Sequence, residues 1–418
     1  MKDFAKLDNA LLCTHCGFCL PVCPTYRAEN KEIQSPRGRV SAILALRNGT
    51  LTAKETGKAL SYCLLCRACH SACPAGVKVG KLVMTARSLA KIAKPWTVRL
   101  FHFITDHAPV SRPVTRLVRF YQKSPLRKEV KKRRWLTNLP WIQRLDNLIP
   151  ELPPAYTTVA ASPRKNPLRV ALLCGCMARM FYPNVETATV SLMSHLDVEL
   201  FHLEGFGCCG APHRESGNRK AFVRQARKVL DRYRLLAEKI DAIVCDTAVC
   251  RVTVMSYARL LANDPDYGPL AEQFGARVVD FSALVLARCG DPTRFFPNPP
   301  PEKIAFVDHC QTQHASGTMG SPRELLAAIL CEQTKLPRSD QCCGAGGDTM
   351  LTHRYHSERV RKDKLKAIEE SGASIVVGAN AGCLLNMEAG LKKAGRSLQV
   401  RHLAEILLEA SNNFKNYT

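Results

Sequence analysis

At 418 residues, 46% apolar and 23% charged, the chain is long enough for two or three hydrophobic cores and too apolar for a disordered one. Its formal net charge of +24 (60 Lys and Arg against 36 Asp and Glu) suggests an anionic partner: nucleic acid, lipid headgroups or an acidic protein. No stretch approaches 18 uncharged apolar residues, so no helix is expected to cross a membrane, and the charges within MKDFAKLDNALLC are not those of a secretory leader.

Twenty cysteines are a heavy load for a reducing cytoplasm, the compartment expected here, unless they bind something. Residues 1–93 show what eight of them bind. Cys13-Thr-His-Cys16-Gly-Phe-Cys19-Leu-Pro-Val-Cys23-Pro24 and Cys63-Leu-Leu-Cys66-Arg-Ala-Cys69-His-Ser-Ala-Cys73-Pro74 repeat one pattern, C-x2-C-x2-C-x3-C-P, 50 residues apart. Three close thiolates wrap one cubane and the fourth, before Pro, is directed to the other cluster, as in bacterial dicluster ferredoxins. The expected ligands of cluster I are therefore Cys13, Cys16, Cys19 and Cys73, and those of cluster II are Cys63, Cys66, Cys69 and Cys23. Zinc sites take C-x2-C pairs and have no use for a third Cys at this spacing, still less for two copies. Between the runs, Ser35-Pro36-Arg37-Gly38-Arg39 leads into a short buried helix over 40–46, ended by Asn48-Gly49. A second helix is expected from Val77 to Ala93, with Leu82, Val83, Ala86, Leu89, Ala90 and Ala93 on one face, so this is a helical ferredoxin domain. Arg37 and Arg39 suit either a place beside a cluster's negative charge or a solvated helix start.

Residues 94–168 form a basic linker. Between 94 and 149 there are 13 basic residues against 3 acidic ones, Asp106, Glu129 and Asp146, and all three Trp (Trp96, Trp135, Trp141). On a helix starting at Pro113, Val114, Leu117, Val118 and Tyr121 form one stripe and Arg112, Arg116, Arg119 and Lys123 another. Such a helix suits either an anionic membrane surface or packing against the next domain. Nucleic acid is not expected, because aromatics make up only 7% and the basic residues sit in one linker without aromatic interleaving. Pro153-Pro154 and Ser162-Pro163-Arg-Lys-Asn-Pro167 mark the next boundary.

Residues 169–418 are a duplication, divided as 169–300 and 301–418. Arg169-Val-Ala-Leu-Leu-Cys174-Gly-Cys176 matches Lys303-Ile-Ala-Phe-Val-Asp308-His-Cys310, Cys208-Cys209-Gly210 matches Cys342-Cys343-Gly344, and Ile243-Val244-Cys245 through Cys250 matches Val376-Val377-Gly378 through Cys383. The shared register at three points indicates a repeat. Strands over 169–173, 198–203 and 242–245 alternate with helices, one over Lys220–Ile240, which implies a parallel sheet with ligands gathered beyond the carboxyl ends of its strands. Each copy should therefore collect a cluster cup: Cys176, Cys208, Cys209 and Cys250 in the first, Cys310, Cys342, Cys343 and Cys383 in the second. Gly210, Gly344, Gly346 and Gly347 would allow tight backbone there. Of His213, His309, His314 and His353, all near these cysteines, structural roles are expected before roles at sulfur, while Cys289 and Cys331 are expected to be small buried hydrophobes.

With these residues the chain resembles the family of glycolate oxidase iron-sulfur subunits, in which a dicluster ferredoxin is joined to two cysteine-rich CCG domains. The resemblance runs through Cys13-Thr-His-Cys16-Gly-Phe-Cys19, Pro24-Thr-Tyr26, Ser35-Pro36-Arg37-Gly38-Arg39, Cys310-Gln-Thr-Gln-His314-Ala, Cys342-Cys343-Gly344-Ala-Gly346, Leu351-Thr-His353 and Ala379-Asn-Ala-Gly-Cys383. It implies a multidomain chain: a helical 2×[4Fe-4S] ferredoxin domain, the basic helical linker and two tandem α/β CCG domains. It also implies an electron-transfer subunit of a glycolate or D-lactate dehydrogenase, taking electrons from an FAD-binding partner and passing them to a quinone at the cytoplasmic membrane. FAD and the hydroxy-acid site would lie in the partner, and indeed no G-x-G-x-x-G fingerprint opens a βαβ unit here. Heterodisulfide reductase and the corresponding iron-sulfur chain of anaerobic glycerol-3-phosphate dehydrogenase share the modules and give the alternative reading. The chain departs from the reductases at Thr247 and Asn380, where their domains have the first Cys of a closing C-x2-C. That leaves four register-matched cysteines per copy, with Cys174 and Cys245 as substitutes in the first, and leaves open whether one or both copies hold a further cluster.

Overall fold

The computed structural model describes residues 4–90, 94–132, 146, 149–150, 166–316, 321–329, 332–333, 336, 339 and 341–411. Trp135, Trp141, Arg133, Arg134, Arg144, Cys331, Ala93, Pro153, Pro154, residues 162–165 of the second Pro-rich boundary and the side chains of Lys128, Lys131 and Lys132 lie outside the described residues.

The N-terminal part is helical. Ser35 caps the helix Pro36–Arg47 by accepting from the Gly38 amide at 2.9 Å, and Pro36 fills the first turn, where a missing N–H costs nothing. The expected helix over 40–46 is thus one turn longer. Thr52 and Glu55 form a capping box on Ala53–Leu60, and the second expected helix runs from Val79 to Ala90. Val40, Ile43 and Leu46 bury against Leu60, Leu82, Val83 and Ala86, with Leu7 and Ala10 of the 3-10 turn Phe4–Leu12 closing the core.

The linker differs from its expected form. Its helices are Trp96–Asp106, Ala108–Lys123 and Pro125–Lys132. Pro113 lies inside the second rather than starting it, and is tolerated because the carbonyl it leaves unbonded, that of Pro109, is on an exposed residue. The buried face is Ala108, Ser111 and Thr115, small residues that admit close packing, whereas Leu117 and Phe120 are exposed. The expected basic stripe also divides: Arg112 pairs with Glu204, and Arg119 donates to the Arg179 carbonyl.

The C-terminal half carries two parallel sheets. In the first, β1 (Leu168–Leu173), β2 (Val198–His202), β3 (Ala242–Cys245) and β4 (Val278–Val279) have the order β2-β1-β3-β4. In the second, β5 (Ile304–Phe306), β6 (Ile375–Gly378) and β7 (Gln399–His402) have the order β5-β6-β7. Among the described residues the place corresponding to β2 is held there by a parallel bridge, Ile304 to Gln333. Because side chains alternate along a strand, Val170 and Leu172 of β1 join Ile304 and Phe306 of β5 in one core shared by the two copies. Ala171 and Leu173 face a second core, and Ala305 and Val307 a third. Burial on both faces is what sheets of this kind require. Further bonds tie the parts together: Arg87 donates to the Glu215, Leu60 and Cys63 carbonyls, and Lys94 pairs with Asp348 at 2.9 Å.

Candidate functional site

The two N-terminal cysteine runs adopt matching backbones. His15 and Gly17 in the first, and Leu65 and Arg67 in the second, all have positive φ (57°, 86°, 54° and 66°). Left-handed residues at these paired positions curl each loop around its sulfurs, and holding Leu65 and Arg67 there costs about 1–2 kcal/mol apiece. One cavity of about 30 Å³ is lined by Cys13, Cys16, Cys19 and Cys73, and a neighbouring one of about 20 Å³ by Cys23, Cys63 and Cys66. Cys69 lines both, as do Pro36 and Val79. The fold thus places the fourth Cys of each run beside the other run's triplet. Among the described residues no carboxylate lines either cavity, and convergent thiols without hard oxygen donors fit iron-sulfur clusters.

The electrostatics suit anionic groups at these positions. Arg39 is buried and donates to Cys23 Sγ at 3.6 Å and to Thr25 Oγ1 at 2.6 Å. Burial works against its charge, but Cys63, Cys23 and Cys69 outweigh this and raise its pKa. Arg37 instead lies at the surface, paired with Glu32 and within 3.4 Å of the His15 carbonyl oxygen. Of the two open readings of these arginines, burial beside sulfur holds for Arg39.

The cysteines of the duplicated half follow strand ends, the edge at which a parallel sheet gathers ligands, and in the first sheet the strand order switches direction at β1. Cys176 follows β1, Cys208 and Cys209 follow β2, and Cys250 follows β3. Cys176 Sγ lies 3.6 Å from Cys208 Sγ, and Cys209 Sγ 3.3 Å from Cys250 Sγ. Gly210 turns the chain at φ 85° and sends its amide to Cys208 Sγ at 3.4 Å. Hydrogen bonds from Cys208 and Cys250 pull the Cys209 thiol well down, while Cys208 and Cys250 rise. The second copy repeats this, with Cys343 down and Cys342 and Cys383 up.

The two quartets do not occupy separate cups. All eight cysteines line one cavity of about 110 Å³, closed by Leu64 from the second N-terminal run and by Phe101 and His102 from the linker. Cys174 lies elsewhere: it points into the core shared by the sheets, near Glu186 and His202, so it is no substitute ligand for the cup. Cys245 packs behind Cys209 and Cys250 without lining the cavity. Thr247 and Asn380 do line it, and Asn380 donates to Cys383 Sγ at 3.1 Å.

Leu64 also lines the Cys23, Cys63, Cys66 cavity, and it packs with Cys66, Cys310 and Cys342. The second N-terminal cavity therefore abuts the shared one. Residues without a sequence signal complete the site. Arg214 is buried beside the first quartet and bonds the Val252 carbonyl and Gln311, and Lys364 reaches the Ser339 and Gln341 carbonyls beside the second. His213 Nε2 is held by Asp106 at 2.9 Å, and His309 Nε2 accepts from the Ala379 amide, with burial pushing His309 down to about 4. His314 contacts Ser71, and His353 contacts Thr352 and the Tyr62 ring.

Comparison with known proteins bears on this arrangement. Residues 9–77 match the 4Fe-4S dicluster domain, and 170–255 and 304–388 match the cysteine-rich domain. The chain is 31% identical to a probable glycolate oxidase iron-sulfur subunit of Bacillus subtilis (99% of this chain, 96% of the relative). It is 30% identical to the glycolate oxidase iron-sulfur subunit of Escherichia coli (95% and 93%). Lactate utilization protein A of Bacillus velezensis is 28% identical over 57% of this chain and 99% of its own length. A crystal structure of a hypothetical protein from Helicobacter pylori shares the fold, with TM-score 0.55 and 10% identity over 95% of this chain and 72% of that one. The chain accordingly belongs to the family of glycolate oxidase iron-sulfur subunits, with a 4Fe-4S dicluster domain followed by two cysteine-rich domains.

Proposed function

We propose that this chain is the electron-transfer subunit of a flavin-dependent glycolate or D-lactate dehydrogenase. The carrying observation is that sixteen cysteines fall into three cavities joined wall to wall, a continuous path for single electrons. In this reading Cys13, Cys16, Cys19 and Cys73 hold one cubane, and Cys63, Cys66, Cys69 and Cys23 the other. Cys176, Cys208, Cys209 and Cys250, with Cys310, Cys342, Cys343 and Cys383, hold one or two further clusters around the shared cavity. Bound clusters supply the one-electron chemistry. The chain's own residues place the thiolates, offset negative charge through Arg39, Arg214 and Lys364, and keep water out with Leu64 and Phe101. The functional units run over 1–93, 94–168, 169–300 and 301–418.

The partner is an FAD-binding subunit that performs the hydroxy-acid chemistry, and the acceptor is a quinone. The protein works in the cytoplasm, bound to the inner face of the membrane. Supporting this are the exposed Trp96, Leu100, Phe103, Leu117 and Phe120 on the linker helices, fringed by Arg99, Arg116 and Lys123. Apolar and basic groups so arranged suit an anionic bilayer surface. None of the described helices is long and apolar enough to cross it.

Anaerobic reconstitution tests the reading: two cubanes need about eight irons, and a colourless protein or a lower iron content refutes it. A heterodisulfide-type activity is the competing reading, because two thiol quartets face one cavity. Disulfide reduction unchanged in both Cys250→Ser and Cys383→Ser would remove it.

A further inference from the structure

The three cavities have an order. The Cys13, Cys16, Cys19 cavity shares Pro36, Cys69 and Val79 with the second, the second shares Leu64 with the third, and the first and third have no residue in common. One end of the path is therefore the first N-terminal run, and there it reaches the surface: among the described cysteines, Cys16 alone is exposed. Four large apolar side chains on or next to the segments that build this end stay in water, Leu11 (56% exposed), Leu12 (51%), Phe18 (65%) and Ile33 (49%). Leu11 and Leu12 directly precede Cys13, and Phe18 lies between Cys16 and Cys19. Ile33 adjoins Glu32, whose partner Arg37 reaches the His15 carbonyl of the same loop. The domain core does not use these side chains, since Leu7, Ala10, Val40 and Ile43 fill it.

Several large apolar side chains left in water by neighbouring segments mark an interaction surface. Its fringe distinguishes the occupant. Here charges of both signs are already paired, Glu32 with Arg37 and Asp8 with Arg47, whereas the exposed linker stripe carries a basic fringe. An apolar centre with a mixed polar rim is the anatomy of a protein interface, not of a site for anionic lipid. We propose that Leu11, Leu12, Phe18 and Ile33 form the docking surface for the flavin-bearing subunit, so that electrons enter beside Cys16 and leave from the shared cavity under the linker. This rests on the relay reading above and assigns it a direction.

The test uses the full, reconstituted chain and the FAD-containing protein that co-purifies with it and is reduced by glycolate or D-lactate. Leu12→Glu and Ile33→Glu should each weaken that complex at least tenfold, and the double variant should lose it on a sizing column. Iron content and reduction by dithionite should match the unmodified chain, which separates lost docking from lost folding. Leu235→Glu, at an exposed apolar site on the first cysteine-rich domain, should leave affinity unchanged. A fully loaded double variant that binds as tightly as the unmodified chain overturns the assignment, as does equal weakening by Leu235→Glu. If the loaded, unmodified chain binds no such flavoprotein, the relay reading itself falls.

Discussion

Replacing Arg39 by Gln should lower the reduction potential of the cluster assigned above to Cys63, Cys66, Cys69 and Cys23. The guanidinium is buried, 3.6 Å from Cys23 Sγ, and lines the same cavity. The charge of an added electron is taken at roughly 6 Å from the guanidinium, beyond the 3.6 Å contact to Cys23 Sγ. With an effective dielectric of about 20, their attraction is about 3 kcal/mol, or roughly 120 mV for a one-electron couple. Gln retains a donor for Thr25 Oγ1 but carries no charge, so the cluster should become harder to reduce by up to that amount. Arg37→Gln is the comparison. Arg37 lies at the surface and is already paired with Glu32 at 2.7 Å, so solvent and the carboxylate screen it and the first cluster should shift far less. An anaerobic redox titration followed by electron paramagnetic resonance measures both. An unchanged potential in a fully loaded Arg39→Gln protein, or an equal shift in Arg37→Gln, would refute the argument.

Gly344→Ala should destabilise the second cysteine-rich domain by about 3 kcal/mol, because φ is 82° and an added Cβ would stand 2.5 Å from the Ser357 carbonyl oxygen, measured as a fall in thermal midpoint. Glu186, hydrogen-bonded to His202 and near Arg179, is held down at about 2 despite its burial. A lowered carboxylate stabilises the fold above its unfolded pKa and loses that as pH falls through the folded value. His202, raised mainly by the same bond, stabilises below its unfolded pKa and loses that as pH rises. Glu186→Gln should therefore cost about 2 kcal/mol in urea unfolding between roughly pH 4.5 and 6.5, and less on either side. A flat difference from pH 3 to 8 would contradict the pairing. Leu117→Glu with Phe120→Glu should abolish flotation with anionic vesicles, since each loses about 1.5–3 kcal/mol of apolar insertion; unchanged flotation leaves the linker as packing alone.

Cysteine spacing carried most of the chemistry because ligation is local: a C-x2-C-x2-C loop needs only its own backbone to surround one metal group. The two runs at residues 13–24 and 63–74 were legible for that reason, and the fold brings the fourth Cys of each to the cavity lined by the other's triplet. The duplication was legible too, since an apolar strand followed by Cys, repeated in register, fixes which residues stand at the strand ends. Helix Pro36–Arg47 was read only from residue 40, a turn after the Ser35 cap and Pro36 that start it, and Pro113 misled because an exposed Pro within a helix is penalised less than its sequence pattern implies.

What the linear order left open concerns groups far apart in the chain. It placed two cups in two domains, whereas packing of β1 against β5 through one core turns both quartets onto a single cavity. It offered Cys174 as a ligand, yet Cys174 continues the Val170 and Leu172 face of β1 into the shared core, whereas the chain has left the strand for a helix at Cys176, which packs with Cys250 on the other core. Leu64, Arg214 and Lys364 carry no motif, and their positions beside sulfur depend on how the N-terminal part sits on the sheets. Local covalent spacing determines which sulfurs a single loop brings together. Burial of apolar faces shared between distant segments decides how those groups line up.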